Sequence, residues 1–588
     1  MDHQLTEQSF HDLPLGLGPA RCRDRDMIGG AILERLPSDP PTCHTAAIFV
    51  LPPEIIHQIF REYQKSFVHR TFKKSKRNQG GWIRIAHICR YLRQVAFSCP
   101  ELWTHLRLPG SPYAAESINS FHAVEWQLQN AGTVPLTFEV SLTNHRLFLF
   151  PSIHEAIVNT IVSNVSRTRQ LVITGDKAPV EDLLDQLVSP APMIESLSIS
   201  GLHIPIPSDL FAGCTPKLQS LELSNCSNIL WRSPLLIGSP IKHLKLRRVQ
   251  NMGVHVNWAG LRGVLETLQT SLETLVLDNY LEADSEELDT SVPVLHLPNL
   301  KEGTFAGKTH HVLGFFSSVT VPGTAKLSIR YRHGAFWGQE LHDFYMALKA
   351  FRSGEDLQPT HLLISQNEVG ASMSRFDQST TTTLRGWKHP IKFMKNDEMS
   401  PVDPPAFEII FHHTEQPDSG EQAFFPVDLS QNSPGIDCSV LESVDIRGFL
   451  ATPSTFWDTL SRSSCAPVLV KARIHGLDPA PLLSCFRADA LALRDQCRSQ
   501  NEGKRDLYSR RFHALRTLIF REVDFTSSSD GGTEVDDVLR GCSNHSAFAL
   551  GRRLWRDMPP MGVPLDVRFV NCCGCLKVAC TSAYSPDI

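Results

Sequence analysis

Two pairs of possible metal ligands stand near the end of the chain. Cys542 and His545 are three residues apart, and Cys572 and Cys575 have the same spacing. Thiolate and imidazole groups at this spacing are typical of structural zinc sites. The alternative, which we favour, is a set of free thiols in the last strand and the tail. We therefore predict no bound metal, and the zinc alternative stays open.

Few other residues have the types and spacing that catalysis needs. Gly307, Lys308 and Thr309 are similar to the end of a phosphate-binding loop, but Gly303 is one residue too close to them. The segment NLKEGTF fits a strand better, so we reject that loop. The sequence has no HExxH, GxSxG or dinucleotide glycine fingerprint. We predict that the protein is not an enzyme and that it needs no cofactor.

A basic run, HRTFKKSKR, occupies residues 69–77. Clusters of this kind can act as nuclear import signals or as nucleic-acid contacts. A solvated loop between two helices explains the run equally simply, and we favour that interpretation. The whole chain has a net charge of −5, so no overall field attracts it to nucleic acid or to an anionic membrane.

The clearest apolar pattern near the N-terminus lies in residues 51–108. It predicts three short helices: one after Pro53, one from Ile83 to Phe97, and one starting at Pro100. The first carries a helical stripe formed by Ile55, Ile56, Ile59 and Phe60. A module of this size buries only a modest core of its own, so something else is expected to cover a second apolar face. A plain three-helix subdomain that buries these residues internally remains an alternative.

This segment resembles the F-box, as it occurs in many F-box proteins of mushroom-forming fungi. The matching stretches are LPPEIIHQIF and WIRIAHICRYLRQVAFSCPELW; Tyr91, Leu92 and the long basic linker Glu62 to Gly81 depart from the pattern. The resemblance implies docking on the Skp-type adaptor of a cullin-RING ubiquitin ligase. The residues expected to contact that adaptor are Leu51, Pro52, Ile55, Ile56, Ile59, Ile88 and Leu92.

An L-x-x-L-x-L pattern recurs in the middle of the chain. Its copies are PMIESLSIS, PKLQSLELSNC, PIKHLKL and SLETLVLDN, and their middle leucines, Leu197, Leu221, Leu244 and Leu275, are 24, 23 and 31 residues apart. This is close to the period of leucine-rich repeats. The chain is similar in this respect to F-box proteins with C-terminal leucine-rich repeats, although some LxxLxL matches arise by chance in any α/β chain.

The last two leucines of each copy are two positions apart, so both point to one face of a strand. Stacked copies would build parallel strands with helices or loops returning between them. The residues between the inward leucines are expected to face a target protein; they are Ser198, Glu222, Lys245 and Val276.

The predicted fold class is α/β: a three-helix F-box followed by an irregular solenoid similar to leucine-rich repeats. The expected organisation is a disordered tail (1–48), the F-box (49–108), a linker helix and first strand (109–160), the repeat region (161–365), an irregular or disordered insertion with one strand (366–437), and further repeat-like strands with a tail (438–588).

The 15 cysteines are scattered and odd in number, and the start of the chain has no signal peptide. We therefore expect free thiols in the cytoplasm, the nucleus or both, and no membrane span. The predicted function is the substrate-recognition subunit of a cullin-RING ligase, which binds the adaptor, through it a cullin, and an unknown target protein. The alternative is an interaction scaffold in which the F-box-like helices merely cap the repeats.

Overall fold

The computed structural model of the 588-residue chain divides into two compact units, with the division after Leu102. The structure describes residues 51–74, 81–108, 114–143, 151–227, 229, 231–248, 258–281, 293–332, 339–369, 379–388, 404–413, 436, 439–447, 469–475, 515, 517–521 and 566–570.

The first unit is helical. It contains α1 (Pro53–Lys74), a 3-10 helix (Gly81–His87), α2 (Arg90–Phe97) and a second 3-10 helix that begins at Pro100. Helix α1 has proline only at its first position, where no backbone hydrogen bond is lost, and it contains no glycine. These residues allow the helix to continue to Lys74, through much of the stretch that the sequence predicts as a linker.

The second predicted helix is interrupted. Cys89 has an extended backbone, and its Sγ accepts a hydrogen bond from the Leu92 N–H at 3.4 Å, so it acts as the N-cap of α2. A cap of this kind satisfies a backbone N–H group that has no partner within the helix. The predicted helix from Ile83 to Phe97 is therefore a 3-10 helix and an α-helix, separated by Ile88 and Cys89.

The second unit is mixed α/β and is built on a large, mostly parallel sheet. Sixteen strands within the described residues follow the order β1-β2-β3-β4-β5-β6-β7-β9-β11-β14-β13-β12-β15-β16-β17-β18. Their bounds are β1 His105–Leu108, β2 Leu136–Leu142, β3 Thr168–Gly175, β4 Ser196–Pro205, β5 Ser220–Ser227, β6 His243–Arg247, β7 Thr274–Asp278, β9 Glu302–Lys308, β11 Lys326–Arg332, β12 His361–Val369, β13 Ser379–Trp387, β14 Phe407–His413, β15 Ser443–Arg447, β16 Lys471–His475, β17 Thr517–Arg521 and β18 Asp566–Val570. Two short strands, β8 (Leu295–His296) and β10 (Val319–Thr320), pair separately.

One face of this sheet carries two long rows of apolar side chains. The repeat leucines Leu197, Leu221, Leu244 and Leu275 are direct register partners in the first row, and all are buried. The second row, two residues further along each strand, includes Leu223, Leu246 and Leu277 and continues through Ile409, Ile446 and Ile474. The prediction that these leucine pairs face one core is confirmed.

Helices connect the strands and cover this apolar face. The described ones are α3 (Ala114–Ala131), α4 (Pro151–Asn164), α5 (Lys177–Gln186), α6 (Pro234–Ile237), α7 (Trp258–Leu268), α8 (Thr309–Ser318) and α9 (Gln339–Phe351). Aromatic side chains join α8 and α9 to β9: the ring centroids of Phe305 and Phe315 are 5.1 Å apart, and those of Phe316 and Phe351 are 4.4 Å apart.

Residues 366–437 differ from the prediction of a single strand. Strand β12 extends to Val369, and both β13 and β14 lie in this stretch. Strand β13 is antiparallel to both of its neighbours, β12 and β14. It contains Thr380 to Thr383, which belong to a stretch predicted as loop or disorder because it is rich in proline, serine, threonine and acidic residues. Threonine is also β-branched and fits a pleated strand well, which accounts for the difference.

Candidate interaction surfaces

One face of α1 is buried in the helical unit. Ile56 and Phe60, one turn apart, are almost completely buried. The imidazole Nε2 of His57 lies 3.0 Å from the Val95 carbonyl oxygen, and the Gln64 side-chain amide donates to the Leu102 carbonyl at 2.8 Å. These contacts hold α1 against α2 and the segment that follows it.

The burial corrects part of the predicted adaptor contact. Ile56 and Leu92 are 0% and 3% exposed, so their side chains are core residues and cannot touch a partner directly. The prediction for Ile56 was wrong because two apolar stripes run side by side along α1. Residues 55 and 59 form one stripe and residues 56 and 60 form the other, and sequence spacing alone does not show which of them is covered.

The second stripe of α1 is exposed. Ile55 and Ile59 are each 44% exposed, and Tyr63, one turn further on, is also exposed. Ile88, in the break before α2, is 69% exposed. The Tyr91 hydroxyl lies 3.5 Å from the Leu51 carbonyl oxygen, which places the Leu51–Pro52 end of α1 beside the first turn of α2, close in sequence to Ile88.

Exposed apolar side chains are concentrated in this unit. Among the described residues, five of the thirteen large apolar side chains that are exposed belong to it: Ile55, Ile59, Tyr63, Ile88 and Phe97. The unit contributes only a small part of the described chain. Scattered exposed apolar residues are normal, whereas a large contiguous apolar patch is typical of an interaction surface.

A solvent-exposed polar network also joins α1 to the segment that follows α2. Arg61 Nη2 lies 2.7 Å from Glu101 Oε2, and the Cys99 thiol donates to the same carboxylate at 3.2 Å. The hydrogen bond from Cys99, followed by that from Arg61, lowers the pKa of the Glu101 carboxyl below its ordinary value. The carboxylate therefore stays ionised at neutral pH and links α1 to the 3-10 helix that begins at Pro100.

The sheet face opposite the apolar rows carries the predicted target-facing residues. Ser198, Glu222, Lys245 and Val276 are consecutive register partners on β4, β5, β6 and β7, as their sequence positions predict. The two charged residues already compensate each other. Glu222 lies 3.8 Å from Lys245 Nζ and 3.1 Å from Arg247 Nη1. Val276 is buried, which removes it as a contact residue.

Other charges on this face are paired across strands as well. Glu139 on β2 lies 4.0 Å from Arg107 of β1; His105 of β1 is 3.5 Å from Glu139, but burial lowers the pKa of its imidazole, so at neutral pH it is an uncharged neighbour. Arg385 Nε on β13 lies 2.6 Å from Glu408 Oε1 on β14. Cross-strand pairs of opposite charge are favourable neighbours in a sheet, so these residues contribute to strand pairing.

Several predicted features lie outside the described residues. They are Cys542, His545, Cys572 and Cys575, together with the first 48 residues; the side chains of the basic run 69–77 are not described either. Within the described part of the chain, no group of three or more His, Cys, Asp or Glu side chains could hold a metal ion. No described helix is long and apolar enough to cross a membrane.

No protein-family model matches this sequence, and no curated protein matches it either. Function is therefore inferred from the residues and their geometry.

The sequence does not predict Tyr63 and Phe97 as surface residues. For Tyr63 one signal is present in the sequence, because this residue follows Ile59 by one helical turn.

Proposed function

We propose that this protein is the substrate-recognition subunit of a cullin-RING ubiquitin ligase. In this proposal residues 51–102 form an F-box that docks on a Skp-type adaptor, and the sheet forms a solenoid similar to leucine-rich repeats that holds a target protein. The observation that carries the proposal is the concentration of exposed apolar side chains in the helical unit, on a segment whose sequence resembles the F-box.

The docking contact is helical and apolar. Ile55, Ile59 and Ile88 supply the exposed area, and Leu51 and Pro52 adjoin it. Ile56 and Leu92 support this surface from beneath by filling the core. Helices of a partner that cover such residues would gain roughly 25 cal/mol for each Å² of apolar surface removed from water.

The sheet supports the second half of the proposal. Its strands up to β7 are paired in chain order, with apolar rows on one face and polar residues on the other. A target held on the polar face would be tethered near a ubiquitin-charged enzyme, and tethering raises the effective concentration of the reacting groups. The chain itself then needs no catalytic residue. The proposed location is the cytoplasm, the nucleus or both.

A reconstitution experiment tests the assignment. The purified full chain is mixed with a Skp-type adaptor and a cullin, and the complex is followed by size-exclusion chromatography. We expect co-elution with both proteins. Ile88→Asp, at a 69% exposed position, should abolish it, whereas the control Leu202→Asp, at a 56% exposed position on β4, should not. Absence of wild-type co-elution would leave the interaction scaffold as the better account.

A further inference from the structure

Three arginine residues flank the exposed Ile88 in the helical unit. Arg84 lies in the 3-10 helix that precedes Ile88, Arg90 is the first residue of α2, and Arg93 lies about one turn further along α2. All three side chains are exposed, and Ile88 itself is 69% exposed. We call Arg84, Arg90 and Arg93 the arginine cluster.

Two hydrogen bonds hold part of this cluster beside Ile88. Arg93 Nε donates to the Ala86 carbonyl oxygen at 2.8 Å, which keeps its guanidinium group at the end of the 3-10 helix. The Ile88 N–H donates to the Ile85 carbonyl oxygen at 3.2 Å, so the backbone that carries Ile88 is held in a turn. A cation and an exposed apolar side chain are therefore presented together.

The carboxylates of the helical unit do not neutralise the arginine cluster. Among the residues that the structure describes, this unit has three carboxylates, and two of them pair elsewhere. Glu101 pairs with Arg61 at 2.7 Å, and Glu62 pairs with Lys65 at 2.7 Å. Glu54, near the start of α1, is the third. No ion pair between described residues includes a member of the cluster, so its charge is available to a partner.

The start of α2 adds to this positive charge. The N-terminal end of an α-helix carries a partial positive charge, and acidic side chains are favoured there. The first turn of α2 contains no acidic residue and begins with Arg90. Arginine at this position is unfavourable for the helix itself, so helix stability does not explain its presence. A carboxylate from another chain would relieve this repulsion.

We propose that the arginine cluster binds carboxylates of an amphipathic helix in the docking partner, whose apolar side chains cover Ile55, Ile59 and Ile88. Helices of this kind bind through one apolar face, and guanidinium groups match the geometry of carboxylates. Opposite charges at the margin of an interface fix the orientation of the partner and accelerate association. That the partner is the Skp-type adaptor rests on the proposed function; its acidic chemistry does not.

Two synthetic helical peptides test the chemistry of the partner. Both have the same leucine positions, and all their charged positions are glutamate in one peptide and lysine in the other. Binding of each labelled peptide to the purified full chain is followed by fluorescence anisotropy. We expect the glutamate peptide to bind about tenfold more tightly or better. Its binding should weaken between about 0.1 M and about 1 M salt, because the Debye length falls from about 10 Å to about 3 Å.

Three outcomes of the peptide experiment overturn the proposal. They are equal affinities for the two peptides, no binding of the glutamate peptide, and tighter binding of a short DNA duplex than of the glutamate peptide. The last outcome would mean that the cluster recognises phosphates and that the apolar residues beside it play no part. These comparisons use the wild-type chain, so they do not depend on the folding of any variant.

Charge reversal tests the cluster itself. The double substitution Arg84→Glu and Arg90→Glu should weaken binding of the glutamate peptide about tenfold, whereas Arg90→Lys, which keeps the charge, should bind like the wild type. Arg169→Glu, at an exposed position on β3, is the matched control and should leave the affinity within about twofold of the wild type. Unfolding midpoints show whether each variant folds. Equal effects of the double substitution and the control overturn the proposal.

Adaptor binding is measured separately with the same variants. An adaptor that binds the wild type and the double variant equally would overturn the role of the arginine cluster and leave the ligase assignment intact. Binding of the glutamate peptide without binding of the adaptor would support the acidic chemistry of the partner and contradict the ligase assignment.

Discussion

The helical unit and the sheet use apolar residues in opposite ways. In the sheet, two rows of leucine, isoleucine and other apolar side chains are buried across successive strands. In the helical unit, one stripe of α1 is buried while Ile55 and Ile59 of the neighbouring stripe remain exposed. A unit that carries more apolar side chains than its core can hold leaves some of them exposed, and such exposed side chains can form a docking surface.

Size accounts for part of this difference. A sheet with many strands offers a continuous apolar face, and its connecting helices cover that face. The described part of the helical unit, about fifty residues, has too little interior to bury every apolar side chain that it carries.

Among the substitutions that compare these two regions, Leu244→Ala should have the largest effect on the free energy of unfolding. Leu244 lies in the first apolar row between Leu221 and Leu275 and is fully buried. Removing its side chain leaves a cavity, so we expect the free energy of unfolding to fall by about 3 kcal/mol. Urea denaturation followed by circular dichroism measures the change. A loss below about 1 kcal/mol would show that the sheet does not have a close-packed core.

His361 should make stability depend on pH. Its pKa is lowered to about 4 in the folded chain, so the unfolded chain takes up a proton first as the pH falls below the ordinary value of 6.5. Between pH 7.5 and 5.5 the wild type should lose about 1 kcal/mol more stability than His361→Gln. Urea denaturation at both pH values gives this difference. Equal losses in the two proteins would mean that His361 is solvated in the folded state.

The ion pair between Arg385 and Glu408 should contribute little to the free energy of unfolding. Its atoms are 2.6 Å apart, but the Arg385 side chain is 40% exposed. Solvent screening limits such pairs, so a double-mutant cycle with Arg385→Gln and Glu408→Gln should give a coupling below about 1 kcal/mol. The coupling should shrink further in 1 M salt. A coupling free energy above about 2 kcal/mol would indicate that this ion pair is less accessible to solvent than the exposed fraction of Arg385 indicates.

Ile59→Ala should have the smallest effect on stability. Because Ile59 is 44% exposed, its truncation should change the free energy of unfolding by no more than about 0.5 kcal/mol. The contrast with Leu244→Ala sets an exposed apolar residue against a buried one. A loss comparable to that of Leu244→Ala would place Ile59 in a core and remove it from the proposed docking surface.

The sequence predicts the repeated strands well because alternation within LxxLxL segments directly encodes one buried face. It does not distinguish the Ile55 stripe from the Ile56 stripe, since both have helical spacing and only packing decides between them. The pairing of β12 with β15 is not visible in the sequence either, because β13 and β14 lie between these two strands in the chain.

The most direct test of the docking surface is the affinity of the purified full chain for a Skp-type adaptor. Ile59→Asp is compared with Val294→Asp, because both positions are 44% exposed and only Ile59 lies in the helical unit. We predict that Ile59→Asp raises the dissociation constant at least tenfold, about 1.4 kcal/mol, while Val294→Asp leaves it within twofold of wild type. Equal affinities for the two variants, or no adaptor binding by the wild type, would contradict the assignment.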